Sequence, residues 1–160
     1  GSFIPQAFTD YFRTPSELGW LRSEGPLPEH PFLGREAVLA QREAGGRTLV
    51  GLVWNPEDVI DVLAAPLRSE PIPDLMELPR RLGPEFDQVL VDNAIVGVSS
   101  GRALSTNLRA MISLCVIDPE YAQPGTDVVV LWGRPGTSQC SIRATVTQLP
   151  FKPDRRRTAV

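Results

Sequence analysis

"VVVLWGRPGTSQCSIRATVTQL", residues 128–149, sets an apolar run and an alternating run on either side of a proline-glycine corner. In the second run Cys140, Ile142, Ala144 and Val146 occupy every other position, the spacing that puts them on one face of a strand. Arg134-Pro135-Gly136-Thr137 supplies the turn between, so the stretch predicts a β-hairpin. Just upstream, Pro124-Gly125 marks another corner. "AMISLCVI" (110–117) reads as a central strand, and "DQVLVDNAIVGVSSG" (87–101) as two strands joined at Asp92-Asn93. With Arg47 to Trp54 added, five or six short antiparallel strands are in hand, which favours a small barrel or sandwich. Gly97, Gly101, Gly125 and Gly136 are read as turn glycines.

The N-terminal third reads differently. Residues 1–31 are irregular but hold Phe3, Phe8, Tyr11, Phe12 and Trp20, so this segment must lean on something else. The opening Gly1-Ser2 has the look of an expression scar. Thr14-Pro15-Ser16-Glu17 is a capped turn, with Glu17 three residues after the cap. Gly34 to Ala44 predicts an exposed amphipathic helix stopped by Gly45-Gly46. Asn55-Pro56-Glu57-Asp58 starts a second helix: Asn55 caps, Pro56 is preset, and the acids meet the positive end of the dipole. Val59, Ile60, Val62 and Leu63 are expected to form its buried face, and Pro66 to end it. Residues 66–85 are a proline-rich ordered loop in which Leu75, Met76 and Leu78 need packing partners.

Composition excludes several functions. The chain has 160 residues, 42% apolar and 22% charged, enough for one domain with a proper core. A net charge of −3 argues against a nucleic-acid binder, and the basic run Arg155–Arg157 lies in a tail expected to fray. There is no apolar run of about 18 residues to span a membrane. Cys115 and Cys140 stand apart in strand patterns, and read as reduced, buried thiols of a cytoplasmic protein. His30 is the only histidine and sits in a loop, so neither a self-contained triad nor a usual zinc spacing is available. No dinucleotide or Walker pattern occurs. Glu57/Asp58 and Asp87/Asp92 read as a helix start and strand ends. Trp54 reads as core. Trp20 serves packing or exposed stacking about equally well.

The ordered set of segments nevertheless resembles one family. "TPSELGW" (14–20) followed by "FLGREAVLAQREAGGRTLVGLVW" (32–54) is similar to the start of the C-terminal domain of the glycine cleavage T-protein (aminomethyltransferase) superfamily. "VGVSSGRALSTNLRAMISLCVI" (96–117) resembles its strand, glycine turn and strand. "PEYAQPGTDVVVLWG" (119–133) and "IRATVTQLPF" (142–151) resemble its closing strands. "VWNPEDVIDVLAAPLR" (53–68), "MELPR" (76–80) and "LWGRPGTSQCSIRATV" (131–146) are most similar to the tetrahydrofolate-dependent vanillate and syringate O-demethylases. One departure is visible: Leu104 and Leu108 follow the glycine turn, where those relatives tend to carry aromatics.

The resemblance implies a mainly β (α+β) fold. Its Greek-key barrel, residues 46–152, would follow a junction segment and helix over 1–45 and precede a tail at 153–160. It implies that the barrel caps a folate-binding domain, in cis or in trans, which carries the catalytic acid and most pterin contacts. The cofactor implied is tetrahydrofolate, with Trp20 and Arg35 as candidate contacts and no catalytic residue in this chain. Arg35 equally suits a structural ion pair at a helix start. A free-standing binding or scaffold barrel, and a subunit completed by a separate catalytic chain, stay open. Self-association through the exposed aromatics is a further expectation.

Overall fold

A computed structural model describes residues 1–19, 30–68, 71–77 and 85–153. Six strands form a closed antiparallel barrel: β1 (Thr48–Trp54), β2 (Phe86–Val91), β3 (Ala94–Ser105), β4 (Ala110–Ile117), β5 (Asp127–Trp132) and β6 (Cys140–Thr147). Their order around the barrel is β1-β4-β3-β2-β5-β6, and β1 closes on β6 from Gly51↔Thr147 to Trp54↔Ala144. Three consecutive strands lie side by side with β1 returned beside β4, a Greek-key arrangement. The period-2 signal has a direct cause here. In β6, Ile142, Ala144 and Val146 are buried while Ser141, Arg143 and Thr145 are exposed. Leu52, Trp54, Val89, Ile117 and Val130 meet them in the interior. Cys115 is fully buried as expected, but Cys140 at the strand end is only half-buried.

Two helices frame the barrel: α1 (Arg35–Ala44) and α2 (Pro56–Ala64). Asn55 caps α2 by accepting from the N–H groups of Glu57 (3.0 Å) and Asp58 (3.1 Å). Asp58 grips the Arg143 guanidinium of β6 at 2.7 Å, and Asn55 N–H donates to the Arg143 carbonyl. These ties fix the rotation of α2, so Val59 and Val62 plug one end of the barrel. The expected four-residue buried face is thereby corrected. Ile60 and Leu63 lie 50% and 44% exposed, turned away from the barrel.

The hairpin at Asp92-Asn93 forms as expected, both residues at positive φ (48° and 65°), which that turn requires. Two other turn readings are corrected. Gly97 lies within β3, where a Cβ would stand 2.8 Å from the Val116 carbonyl oxygen, so glycine permits close strand approach. Gly101 (φ 61°) sits where the β3–β4 register shifts between Ser100 and Ala103, a bulge rather than a turn. The chain reverses later, where Ser105 Oγ accepts from Leu108 N–H and Arg109 takes φ 51°. Asp87, read as a strand end, is the second residue of β2. It alternates in phase with Val89 and is buried.

The N-terminal segment leans on the outside of the barrel. Among its described residues the one regular element is a short 3-10 turn, Phe8–Tyr11. Phe3 N–H donates to the Phe86 carbonyl at 3.0 Å, Ser2 is fully buried, and Tyr11 stacks edge-on to Phe86 at 5.9 Å. Further along, Glu17 holds Arg47 at 2.9 Å. On one side of the closed barrel β4 and β3 lie between β1 and β2. Val98 and Val116, register partners outside the interior cluster, are buried there.

Candidate functional site

Among the described residues, polar side chains gather at a barrel mouth and at the junction, among other places. The first is the mouth of the barrel where β5 ends at Trp132. Arg102 on β3 is only 8% exposed, and its guanidinium lies 4.3 Å from the centroid of the Trp132 ring. It donates to the Glu77 carbonyl (3.0 Å), stands 3.7 Å from the Glu85 carboxylate, and has a buried Nε without a partner among the described residues. Burial pushes Arg102 below its ordinary value and Asp87 above its own. Asp87 accepts one backbone N–H, from Ser2 at 3.1 Å.

Over this mouth runs the strap 71–77, which has no regular structure of its own. Met76 drops into the core cluster. The Asp74 carbonyl accepts from Trp132 Nε1 (2.7 Å), while its carboxylate takes Arg134 Nε (3.0 Å), Nη2 (3.2 Å) and backbone N–H (2.8 Å). The Arg134 guanidinium therefore holds the Asp74 carboxyl below the usual range. A hollow of about 530 Å³ lies between strap and mouth, lined by Arg102, Trp132, Arg134, Glu77 and Glu85. Its guanidinium groups are held by acids and carbonyls of the chain itself. The arrangement fastens a strap; it presents no activated nucleophile.

The second place is the junction. Thr14 N–H donates to Glu17 Oε2 (2.8 Å) and Glu17 N–H to Thr14 Oγ1 (3.2 Å), the reciprocal cap read from the sequence. Burial pushes the Glu17 carboxyl up, but bonds from Thr14 and Arg47 outweigh that and leave it lowered. A hollow of about 540 Å³ opens between this turn and the end of α1, lined by Phe12, Glu17, Gln41, Arg42 and Arg47. Beside it Phe8, Tyr11 and Phe12 are exposed and packed on one another, with Phe8 and Phe12 edge to face at 5.1 Å. Phe3 is half-buried.

Of the two residues expected to touch folate, Trp20 lies outside the described residues. Arg35 is the first residue of α1 and half-buried. Its Nε has no hydrogen-bond partner, and it forms no ion pair among the described residues. His30 is exposed in its loop. Burial pushes the Cys115 thiol up to about 12, where it is inert, and Cys140 is raised too. Among the described residues no cluster of histidine, cysteine and acid could hold a metal. No described helix is long and apolar enough to cross a membrane. Sequence reading missed Asp87 and Arg102. For Asp87 a signal existed, since it shares the parity of Val89; for Arg102 the bulge at Gly101 hid the phase.

No protein-family model matches the chain. Curated relatives do, among them the following two. The sesamin methylene transferase of Sinomonas sp. (strain No.22) is 41% identical over 154 residues, covering 88% of this chain and 33% of that protein. The syringate O-demethylase of Sphingobium sp. (strain NBRC 103272 / SYK-6) is 33% identical over 165 residues, covering 94% of this chain and 35% of that protein. The chain thus spans about a third of the length of each relative. Along nearly all of its own length it is similar to part of a methylene transferase and of an O-demethylase.

Proposed function

We propose that this chain is the C-terminal barrel domain of a tetrahydrofolate-dependent one-carbon transferase of the T-protein superfamily. It sits against a larger folate-binding part that carries the chemistry. The transferred unit is a methyl or methylene group on an oxygen of an aromatic donor. One observation carries the reading: nearly the whole chain matches a sesamin methylene transferase and a syringate O-demethylase, yet accounts for only about a third of each. The exposed Phe8, Tyr11 and Phe12 support it, because a junction that meets a neighbouring domain has reason to keep aromatics outside.

Within this reading Trp20 and Arg35 approach the folate tail from the junction, the ring by stacking and the guanidinium by pairing with a carboxylate. The barrel orients the cofactor's outer end and supplies no acid or base. Titration of tetrahydrofolate tests this. The longer protein carrying this chain binds it, and Trp20→Ala weakens that binding by about tenfold or less, the worth of one stacking contact. Equal binding by this chain alone would contradict the reading.

A further inference from the structure

Arg102 carries a buried charge that the chain answers only in part. Nη2 gives one hydrogen to the Glu77 carbonyl, the single hydrogen bond that reaches this side chain among the described residues. Nε is buried with no acceptor at all. The Glu85 carboxylate comes no closer to Nη2 than 3.7 Å, beyond hydrogen-bond reach, and Glu85 is itself 63% exposed. Arg134 at the same mouth is the opposite case: it lies in water and takes both carboxylate oxygens of Asp74.

A guanidinium that is only 8% exposed and lacks a matched acceptor is costly, and native chains leave few such groups. The charges of Asp87 and Glu85 act to raise Arg102, yet burial outweighs them and leaves it lowered. Arg102 lines the hollow of about 530 Å³ between mouth and strap. That volume falls within the range of small-molecule sites, about 300–1,000 Å³. On the strap side the hollow is walled by Leu75, 64% exposed. Glu77 and Glu85 bring negative charge to the same hollow, but both are exposed, so water screens them far more than it screens Arg102.

We propose that this hollow binds a small organic acid, its carboxylate paired side-on with the Arg102 guanidinium and its apolar body against Leu75. Nε and Nη2 share one edge of a guanidinium, at the spacing of two carboxylate oxygens. Glu85 stands near Nη2 without bonding to it, and swings into water as the ligand's carboxylate takes its place. The site stands whether or not the proposed function does.

Benzoate, titrated into the isotope-labelled chain at neutral pH and constant ionic strength, tests the site by magnetic resonance. The Arg102 Nε–H signal and the Trp132 Nε1–H signal, whose proton goes to the strap at the Asp74 carbonyl, should shift along a saturating curve. Sodium chloride should move neither. Glu85→Gln should tighten benzoate several-fold by removing a competing charge, and Arg102→Lys should abolish saturation at Trp132. Leu75→Ala should weaken benzoate several-fold and leave acetate unchanged. Glu85 and Leu75 are exposed, so these two variants keep the fold and decide the question even where Arg102→Lys does not fold. Shifts that never saturate, or that chloride reproduces, overturn the proposal. So do equal affinity for acetate and benzoate, and weaker binding in Glu85→Gln. A longer protein in which both signals are already shifted and ignore benzoate overturns it too, because the rest of the enzyme then fills the hollow.

Discussion

The barrel wall and the strap are both ordered, but by different means. In the wall, β1 and β4 pair over Thr48↔Ile117 to Val53↔Ile112, and each residue gains a backbone partner and a side to face. In the strap, residues 71–77 have no ladder and are held by what reaches up from the barrel: Trp132, Arg134 and Arg102. A wall is written in local period. A strap is written in the side chains of other strands.

Substitutions can break or sharpen that contrast. Trp54 is 1% exposed, packs edge-on to Trp132 at 6.4 Å and donates to Ser113 Oγ at 2.9 Å. Trp54→Ala should cost about 3–5 kcal/mol, read from urea unfolding. Met76→Ala should cost about 2–5 kcal/mol by the same measurement, because its side chain belongs to the core although its backbone belongs to no element. A loss below about 1 kcal/mol, the scale of ordinary surface change, would make the strap an ornament and erase the likeness in energy between the two regions. Asn55→Ala should cost about 0.5–2 kcal/mol, the worth of a helix N-cap that starts the plug.

Acid separates the two regions more finely. The Arg143 hydrogen bond lowers Asp58, and the Arg134 hydrogen bond lowers Asp74. What these carboxylates add is fully present above the ordinary carboxylate value of about 3.9, and is lost only as pH falls through their lowered values. Asp87 has the opposite sign. Burial raises it, so the folded chain binds the proton more readily than the unfolded one, and stability falls as pH rises through the raised value. Asp87→Asn should therefore flatten the stability profile just above the ordinary carboxylate value of about 3.9. Melting at a series of pH values reads the slope, and an unchanged slope would remove Asp87 as its source. The smallest effect belongs to the junction surface, where Phe8→Ser should shift stability by no more than about 0.5 kcal/mol.

What could be read in advance follows the same division. Caps at Thr14 and Asn55, the Asp92-Asn93 hairpin and the alternation of β6 are local chemistry, and they stand as read. Ile60 and Leu63 were misassigned because helical period says which residues share a face, not how much of that face the barrel covers. The Gly97 and Gly101 readings failed because a strand glycine and a turn glycine look alike until its neighbours are known. Arg102 joins β3 to the strap at Glu77 and to Glu85 just before β2, contacts that no spacing along one strand reveals. Arg35 is marked by family resemblance alone, and Trp20 by that resemblance and by its place after a glycine in an irregular segment.

The central claim is that this barrel completes a one-carbon transferase without performing its chemistry. Transfer of a methyl or methylene group to tetrahydrofolate, measured with syringate and sesamin as donors, tests it most directly. The longer protein carrying this chain should form the one-carbon folate product with at least one of these donors, and this chain alone should form none. Turnover by the chain alone, abolished by changing one of its own residues, would contradict the account.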